Sequence, residues 1–295
     1  MLKVLVTGAS GFIAPHVIES CLKNNYEVFG IDLKDPEIKV ANCKYIKKDI
    51  RNLEVKDLEN IDFVIHLAFV TNIPYSIENP VETSYDNIQM TVDLLDKVTK
   101  AKCKKFIFSS TASLYGNNPI PWKEDMQADP PEPYCWQKYA CEMLCKMWSE
   151  RYHLPTCTLR LFQVFGENQR KDTALSKFIK SKKENIAITL TETTAQSSFR
   201  TARRDFIYVK DVADAFVAAA KSSKAIKGDV LNIGSGVMTT MEDIAKSIGG
   251  EITFIPKRNF EVEAHQADLN KTFDFLDWKP KVKVLQWLNK FVNEN

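Results

Sequence analysis

Short apolar runs alternate with amphipathic stretches through the first half of the chain. The runs are rich in β-branched and aromatic residues, as strands buried on both faces are, and the stretches between them have helical periodicity. The pattern predicts strands at Leu2–Val6, Glu27–Ile31, Lys44–Ile46, Phe63–Leu67, Lys105–Phe108 and Cys157–Leu161, and helices at Phe12–Asn24, Val81–Thr99 and Tyr134–Tyr152. This alternation indicates an α/β fold in which helices cover both faces of a doubly wound parallel sheet.

The regular alternation of predicted strands and helices changes after Phe162. The Thr-rich stretch Ile186–Gln196 is polar and predicts a loop or an edge hairpin. Strands are predicted at Asp205–Val209 and Val230–Ile233, and helices at Thr173–Lys182, Lys210–Lys221, Thr240–Ser247, Leu269–Leu276 and Val284–Asn293. We therefore expect a main domain of residues 1–163 plus 203–233, with a smaller interleaved α/β lobe of residues 164–202 plus 234–295.

Composition narrows the function classes. Lys plus Arg is 40 against Asp plus Glu 38, which leaves a net charge of +2 and no basic footprint for nucleic acid or an anionic membrane. No apolar run is as long as a membrane span, and the N-terminal residues do not match a signal peptide. The odd number of cysteines, seven, favours reduced thiols in a cytoplasmic protein, and their spacing predicts no metal site.

A glycine-containing turn follows the first predicted strand and opens the first predicted helix. Gly8, Gly11 and Ala14 have the spacing Gly-x-x-Gly-x-x-Ala, which lets the backbone approach a pyrophosphate at the helix N-terminus. Asp32 ends the second strand, at about the 20-residue distance where an acidic residue accepts hydrogen bonds from ribose hydroxyls. A carboxylate there repels the 2′-phosphate of NADP. The sequence therefore predicts a Rossmann-type NAD site.

Tyr134 and Lys138 lie four residues apart, so a helix places both side chains on one face. Free tyrosine titrates at about 10, which is too high for a base at neutral pH. A nearby lysine ammonium, together with the positive nicotinamide ring, would lower the pKa of Tyr134. Tyr134 would then take a proton from a substrate hydroxyl while hydride leaves the same carbon. The hydroxyl-rich segment Phe108–Gly116 follows a strand upstream and supplies candidate partners.

These motifs, and the order in which they follow one another along the chain, resemble those of the extended short-chain dehydrogenase/reductases of the nucleotide-sugar epimerase/dehydratase family, UDP-sugar 4-epimerases in particular. The similarity runs from Met1 to about Trp287 and includes Asp49-Ile50, His66-Leu67-Ala68, Asn87, Arg160-Leu161-Phe162, Arg204-Asp205-Phe206-Ile207-Tyr208-Val209 and Asn232-Ile233-Gly234-Ser235-Gly236. The resemblance implies that NAD is bound by Gly8, Gly11, Phe12, Ile13, Asp32, Asp49, Ile50, Leu67, Ala68, Asn87, Ser109, Tyr134 and Lys138.

The resemblance also assigns the chemistry and the substrate contacts. It implies that Tyr134, Lys138 and Thr111 are catalytic, and that the smaller lobe binds the nucleotide sugar. The implied substrate-binding residues are Thr111, Gln163, Arg204 and Arg258, because arginine forks suit the diphosphate.

Several positions depart from the family pattern. Dehydratases carry an Asp-Glu pair after the threonine, whereas this chain has Ala112-Ser113, which argues against ordinary 4,6-dehydration. Gln163 replaces an asparagine, and Thr189–Ala202 is longer and more polar than the usual turn. Cys135 is expected to be a small residue facing the pocket, with an acid role in C5 epimerisation as the alternative.

We therefore expect an enzyme that oxidises a UDP-hexose at C4 and returns the hydride to the opposite face, as a sugar 4-epimerase does. A nucleotide-sugar 4-keto reductase, 4-oxidase or C5-epimerase/dehydratase of the same family is the alternative. A non-catalytic, dinucleotide-sensing regulator is disfavoured because Tyr134, Lys138 and Thr111 are all retained. A homodimer is implied by the resemblance, with the helices containing Asn87 and Tyr134 forming a four-helix interface.

Overall fold

The computed structural model describes residues 1–194, 196–257 and 262–294. Within them, the strands are β1 (Lys3–Thr7), β2 (Glu27–Asp32), β3 (Cys43–Lys47), β4 (Phe63–His66), β5 (Lys105–Thr111), β6 (Thr156–Leu161), β7 (Gln163–Phe165), β8 (Ile188–Thr191), β9 (Arg203–Tyr208), β10 (Lys227–Ile233), β11 (Met238–Thr240) and β12 (Ile252–Ile255). The α-helices are α1 (Ala14–Lys23), α2 (Ile73–Glu78), α3 (Pro80–Ser84), α4 (Met90–Lys100), α5 (Pro133–Tyr152), α6 (Ala174–Lys183), α7 (Val209–Lys221), α8 (Met241–Ile248), α9 (Asn270–Phe275) and α10 (Val284–Glu294).

The largest sheet confirms the doubly wound α/β prediction. Its strands lie in the order β10-β6-β5-β4-β1-β2-β3, and neighbouring strands run parallel. Successive residues of β1 enter opposite cores: Val4 and Val6 pack with α1 and α7, whereas Leu5 packs with α4 and α5. The strand order reverses between β1 and β4, and ligands bind at such a switch point, beside the carboxyl ends of the strands.

A second group of elements packs around its own apolar cluster. β11, β9 and β7 form a three-stranded sheet, and β8 pairs in parallel with β12. Leu175 from α6, Ile244 from α8 and Leu288 from α10 are buried in this cluster. The division of the chain into 1–163 plus 203–233 and 164–202 plus 234–295 stays a prediction.

Two predicted elements differ from the structure. For Ile186–Gln196, the loop alternative is wrong for the centre of the stretch, because β8 is a strand that buries Ile188 and Leu190 and exposes Thr189. The edge-hairpin alternative agrees with the antiparallel bridge between Glu192 and Thr201. Threonine is common in strands, but its polarity obscured the alternation of buried and exposed residues in the sequence pattern. The predicted helix Val81–Thr99 is interrupted by a π-helical turn at Tyr85–Gln89. Such turns are frequent at functional sites.

No helix in the part of the chain that the structure describes combines the length and the apolar character needed to cross a membrane.

A buried ion pair ties α5 to the central sheet. The Arg160 guanidinium on β6 donates to both carboxylate oxygens of Glu142 on α5, at 3.1 and 3.2 Å from Nε and 2.8 Å from Nη2. The guanidinium also lies over the ring of Tyr115, 4.7 Å from its centroid. Both charged side chains are almost inaccessible to solvent. Removing one partner would leave an uncompensated buried charge, which is strongly destabilising.

We predict that Glu142→Gln lowers the free energy of unfolding by about 3–5 kcal/mol, because Arg160 then stays buried without its counter-charge. Urea denaturation measures the change. The matched control is Glu150→Gln on the same helix, where the exposed carboxylate lies 4.0 Å from Lys146. That change should cost less than about 0.5 kcal/mol. Equal losses in both variants would contradict the assignment.

Candidate active site

A cleft of about 670 Å³ lies at the carboxyl ends of β1, β4 and β5. Thr111 and Gln163, which are predicted to bind the substrate, line this cleft. So does every residue predicted to bind the cofactor: Gly8, Gly11, Phe12, Ile13, Asp32, Asp49, Ile50, Leu67, Ala68, Asn87, Ser109, Tyr134 and Lys138. The volume is within the usual range for a ligand site. The structure therefore brings the predicted residues into one cavity, and their individual roles stay predictions.

The turn after β1 is shaped by two glycines. Gly8 has a φ of 70°, and the Gly11 amide donates to the Gly8 carbonyl oxygen at 2.9 Å. A Cβ on Gly8 would lie 2.7 Å from the Ala68 amide nitrogen. Ile13, which precedes α1, supplies no side-chain cap to the first amides of that helix. The turn therefore offers a close backbone approach and a helix N-terminus, which fits a pyrophosphate.

Carboxylates line the cleft beside the glycine turn. Asp32 accepts hydrogen bonds from the amides of Ser10 at 2.9 Å and Lys34 at 3.3 Å. Arg51, which sequence reasoning missed, also lines the cleft, but its guanidinium pairs with Asp49 at 2.7 Å and Asp86 at 2.9 Å. Because Arg51 is matched by two carboxylates, this part of the cleft favours a ribose diol over a 2′-phosphate. These residues fit NAD.

Asn87 holds the wall of the cleft through its side-chain amide. Its Oδ1 accepts from the Val70 amide at 2.7 Å, and its Nδ2 donates to the Val70 carbonyl oxygen at 3.2 Å and to Gln137 Oε1 at 2.7 Å. Gln137 in turn donates to Thr83 Oγ1 at 2.9 Å. The π-helical turn thereby fixes both the strand end after β4 and the start of α5. Asn87 therefore supports that wall, and its predicted contact with the cofactor stays a prediction.

Lys138 is buried beneath the cleft. Its Nζ donates to the Ser109 carbonyl oxygen at 2.6 Å. Burial is the largest influence on its ammonium and lowers the pKa of Lys138 to about 7. A shift of this kind in a cleft is characteristic of functional sites.

Tyr134 and Thr111 line the same part of the cleft, close enough for the Thr111 side chain to influence the titration of the phenol. Burial raises the pKa of Tyr134 above its ordinary value, while Thr111 and the charge of Arg170 act in the opposite direction. The expectation that Lys138 and the positive nicotinamide ring together lower this pKa concerns the site with NAD bound and stays a prediction. The Tyr-x-x-x-Lys spacing gave no indication that the Tyr134 phenol would be buried.

Three other predicted positions lie away from the cleft or outside the described residues. The Arg204 guanidinium donates to the backbone carbonyl oxygens of Arg203 at 2.9 Å and Glu263 at 3.4 Å, and Arg204 does not line this cleft. Arg258 lies outside the described residues. The expectation that Cys135 faces the pocket is wrong, because its side chain is buried away from the cleft.

Sequence reasoning also missed Phe69, Thr71 and Arg170, which line the cleft near Tyr134. Arg170 Nη1 donates to Thr71 Oγ1 at 2.9 Å, and the same guanidinium pairs with Asp172. The sequence signal that could have pointed to Arg170 was its positive charge in the short loop that follows β7. Its proximity to Tyr134 depends on tertiary packing.

We predict that Gly8→Ala abolishes NAD binding, because the added Cβ would clash with the Ala68 backbone. Isothermal titration calorimetry with NAD measures the loss. Gly236→Ala is the matched control: its φ is also positive, at 73°, but its Cβ would meet nothing closer than 3.4 Å. The control should be destabilised by backbone strain yet still bind NAD. Unchanged binding by Gly8→Ala would contradict the prediction.

Comparisons with known proteins agree with this geometry. Residues 4–234 match the model of the NAD dependent epimerase/dehydratase family. A UDP-glucuronate 4-epimerase of Thermodesulfobacterium geofontis is 30% identical over an alignment of 314 positions that covers 98% of this chain and 94% of that protein.

Two solved structures have the same fold along their whole length. The UDP-glucuronic acid 4-epimerase of Bacillus cereus, in complex with UDP-glucuronic acid and NAD, has a TM-score of 0.87 and 30% identity and covers 99% of each chain. The UDP-N-acetylglucosamine 4-epimerase of Methanobrevibacter ruminantium, in complex with UDP-N-acetylmuramic acid, has a TM-score of 0.88 and 28% identity, covering 99% of this chain and 97% of that chain. The present chain belongs to the NAD-dependent epimerase/dehydratase family, and NAD is its cofactor.

Proposed function

We propose that this chain is an NAD-dependent UDP-sugar 4-epimerase. The observation that carries the proposal is the meeting of the Tyr134 phenol, the Thr111 hydroxyl and the Lys138 ammonium at one end of the cofactor cleft. Ala112 and Ser113 follow the threonine, so no carboxyl group is supplied there for eliminating water. The relatives named above are 4-epimerases of UDP-glucuronate and UDP-N-acetylglucosamine.

Each side chain has a separate part in the reaction. Tyr134 Oη takes the proton of the sugar C4 hydroxyl, and Thr111 Oγ, which lines the same cleft, orients that hydroxyl. The Lys138 ammonium would hold the nicotinamide ribose and would keep positive charge beside the site. Bound NAD supplies the hydride acceptor and, when oxidised, a positive ring that favours the phenolate. Tyr134 returns the proton when the rotated 4-keto sugar is reduced on its other face.

The placement of other acids disfavours the related chemistries. Cys135 is fully buried and does not line the cleft, and burial raises the pKa of its thiol, which makes it a weaker acid and disfavours a role beside C5. The Glu124 carboxylate accepts from the Asn232 amide at 2.8 Å and lines a different cavity. A C5-epimerase or dehydratase would need such a group near the sugar. A 4-keto reductase would use the same Tyr134 and Lys138, and its substrate requirement distinguishes it.

We also propose a homodimer in the cytoplasm. Val81, Tyr85, Trp136 and Met143 are 83%, 63%, 57% and 39% exposed and lie on the neighbouring helical segments that carry Asn87 and Tyr134. Exposed apolar side chains of this size on adjacent helices are typical of an interface. All seven cysteines are unpaired, which fits a reducing compartment.

The activity prediction uses a panel of UDP-glucuronate, UDP-N-acetylglucosamine and UDP-glucose with NAD. We expect the C4 epimer of at least one of them, identified by NMR without any added keto-sugar. Tyr134→Phe should lower kcat about 10²- to 10⁴-fold, because the proton-transfer group is removed. Tyr139→Phe, on the same helix, should stay near wild type. Conversion only of a 4-keto sugar by the wild type would establish the reductase instead.

The dimer prediction uses light scattering coupled to size exclusion. We expect a mass close to twice 33.7 kDa at micromolar concentration. Val81→Glu should give a monomer, because it buries a charge in the proposed interface. The control is Ile186→Glu, an equally apolar residue that is 58% exposed elsewhere on the surface. A monomeric wild type would contradict the proposed dimer.

A further inference from the structure

The ring of Phe69 lies between the two side chains assigned to the chemistry. Lys138 Nζ is 3.6 Å from the centroid of this ring and 4.8 Å from that of Phe108. The Tyr134 ring packs against Phe69 nearly perpendicularly, with 6.0 Å between centroids and 79° between planes. Phe69 also lines the cleft. One aromatic side chain therefore touches both the ammonium and the phenol ring.

The face of the Phe69 ring is a principal partner of the Lys138 charge, because the other groups around the ammonium offer it little compensation. The Ser109 carbonyl oxygen on β5 accepts one hydrogen bond. From β4, the fully buried His66 is neutral, since burial lowers its pKa to about 3. From α5, Glu142 is engaged by Arg160. The remaining titratable neighbours on α5 are Tyr134 and the buried thiols Cys135, Cys141 and Cys145.

We propose that Phe69 is a positioning residue, whose ring holds the Lys138 ammonium by a cation–π contact and packs against Tyr134, fixing the two side chains relative to each other in the NAD cleft. The importance of this alignment for turnover rests on the proposed function, whereas the contact itself does not. Cation–π contacts gain strength when the cation is desolvated, as it is here. The ring thus offsets part of the cost of burying the ammonium.

The consequence is a measurable effect on the titration of Lys138. The ring stabilises the charged form, so it opposes the lowering of the pKa by burial. Phe69→Leu keeps an apolar side chain of similar size over the ammonium but removes the negative ring face. The pKa of Lys138, already about 7, should therefore fall further, by about one pH unit. Phe69→Tyr retains the ring and should leave the titration unchanged.

The experiment is an NMR titration of the chain labelled with ¹³C at lysine Cε, without cofactor or substrate. Lys138→Arg identifies the Lys138 signal by its disappearance. We expect Phe69→Leu to titrate about one pH unit below wild type and Phe69→Tyr to match wild type. The matched control is Phe63→Leu on β4, which packs against Tyr26 and should leave the Lys138 signal unmoved.

Two results would overturn the proposal: a wild-type titration in Phe69→Leu, or the same displacement in Phe63→Leu. If Phe69→Leu does not fold, Phe69→Met carries the same expectation, because it also fills the space without a ring. Since no sugar nucleotide is present, failure here leaves the proposed function standing. Failure of the epimerase assay would likewise leave the Phe69 contact standing.

Discussion

The burial of the Lys138 ammonium is the constraint on which the rest of the site depends. A charge removed from water needs a hydrogen-bond acceptor and polarisable neighbours, and here these are the Ser109 carbonyl oxygen and the rings of Phe69 and Phe108. Those partners come from β5 and from the strand end after β4. α5 must therefore pack on the sheet in one register, which also brings Tyr134 to Thr111.

Two polar networks hold that register. Asn87 and Gln137 join the π-helical turn to the start of α5 and to the cleft wall at Val70. Further along α5, the Glu142–Arg160 pair fixes the helix to β6. Both networks are buried, so a shift of the helix would leave polar groups without partners. The catalytic geometry is thus set by the packing of α5 as a whole.

Local spacing was enough to predict the cofactor cleft. The glycine turn, Asp32 and the Tyr134–Lys138 pair follow from strand and helix periodicity, because parallel strands bring their carboxyl ends to one edge. Properties that depend on distant neighbours were not predictable. The raised pKa of Tyr134 comes from burial, and Arg170 reaches the cleft only through the loop after β7. Cys135 faces the interior for the same reason.

The family carries out several reactions in one kind of cleft, so the choice of reaction depends on which acids reach the sugar. Ala112 and Ser113 carry no carboxyl group after Thr111, which favours hydride and proton exchange at C4 over the elimination of water. The most direct test is an NMR analysis of the epimerised UDP-sugar formed in D₂O. The account predicts an inverted C4 carrying no deuterium at any ring carbon. Deuterium at C5 would contradict it, because enolisation requires a second acid–base group beside C5, and Ala112 and Ser113 supply none after Thr111.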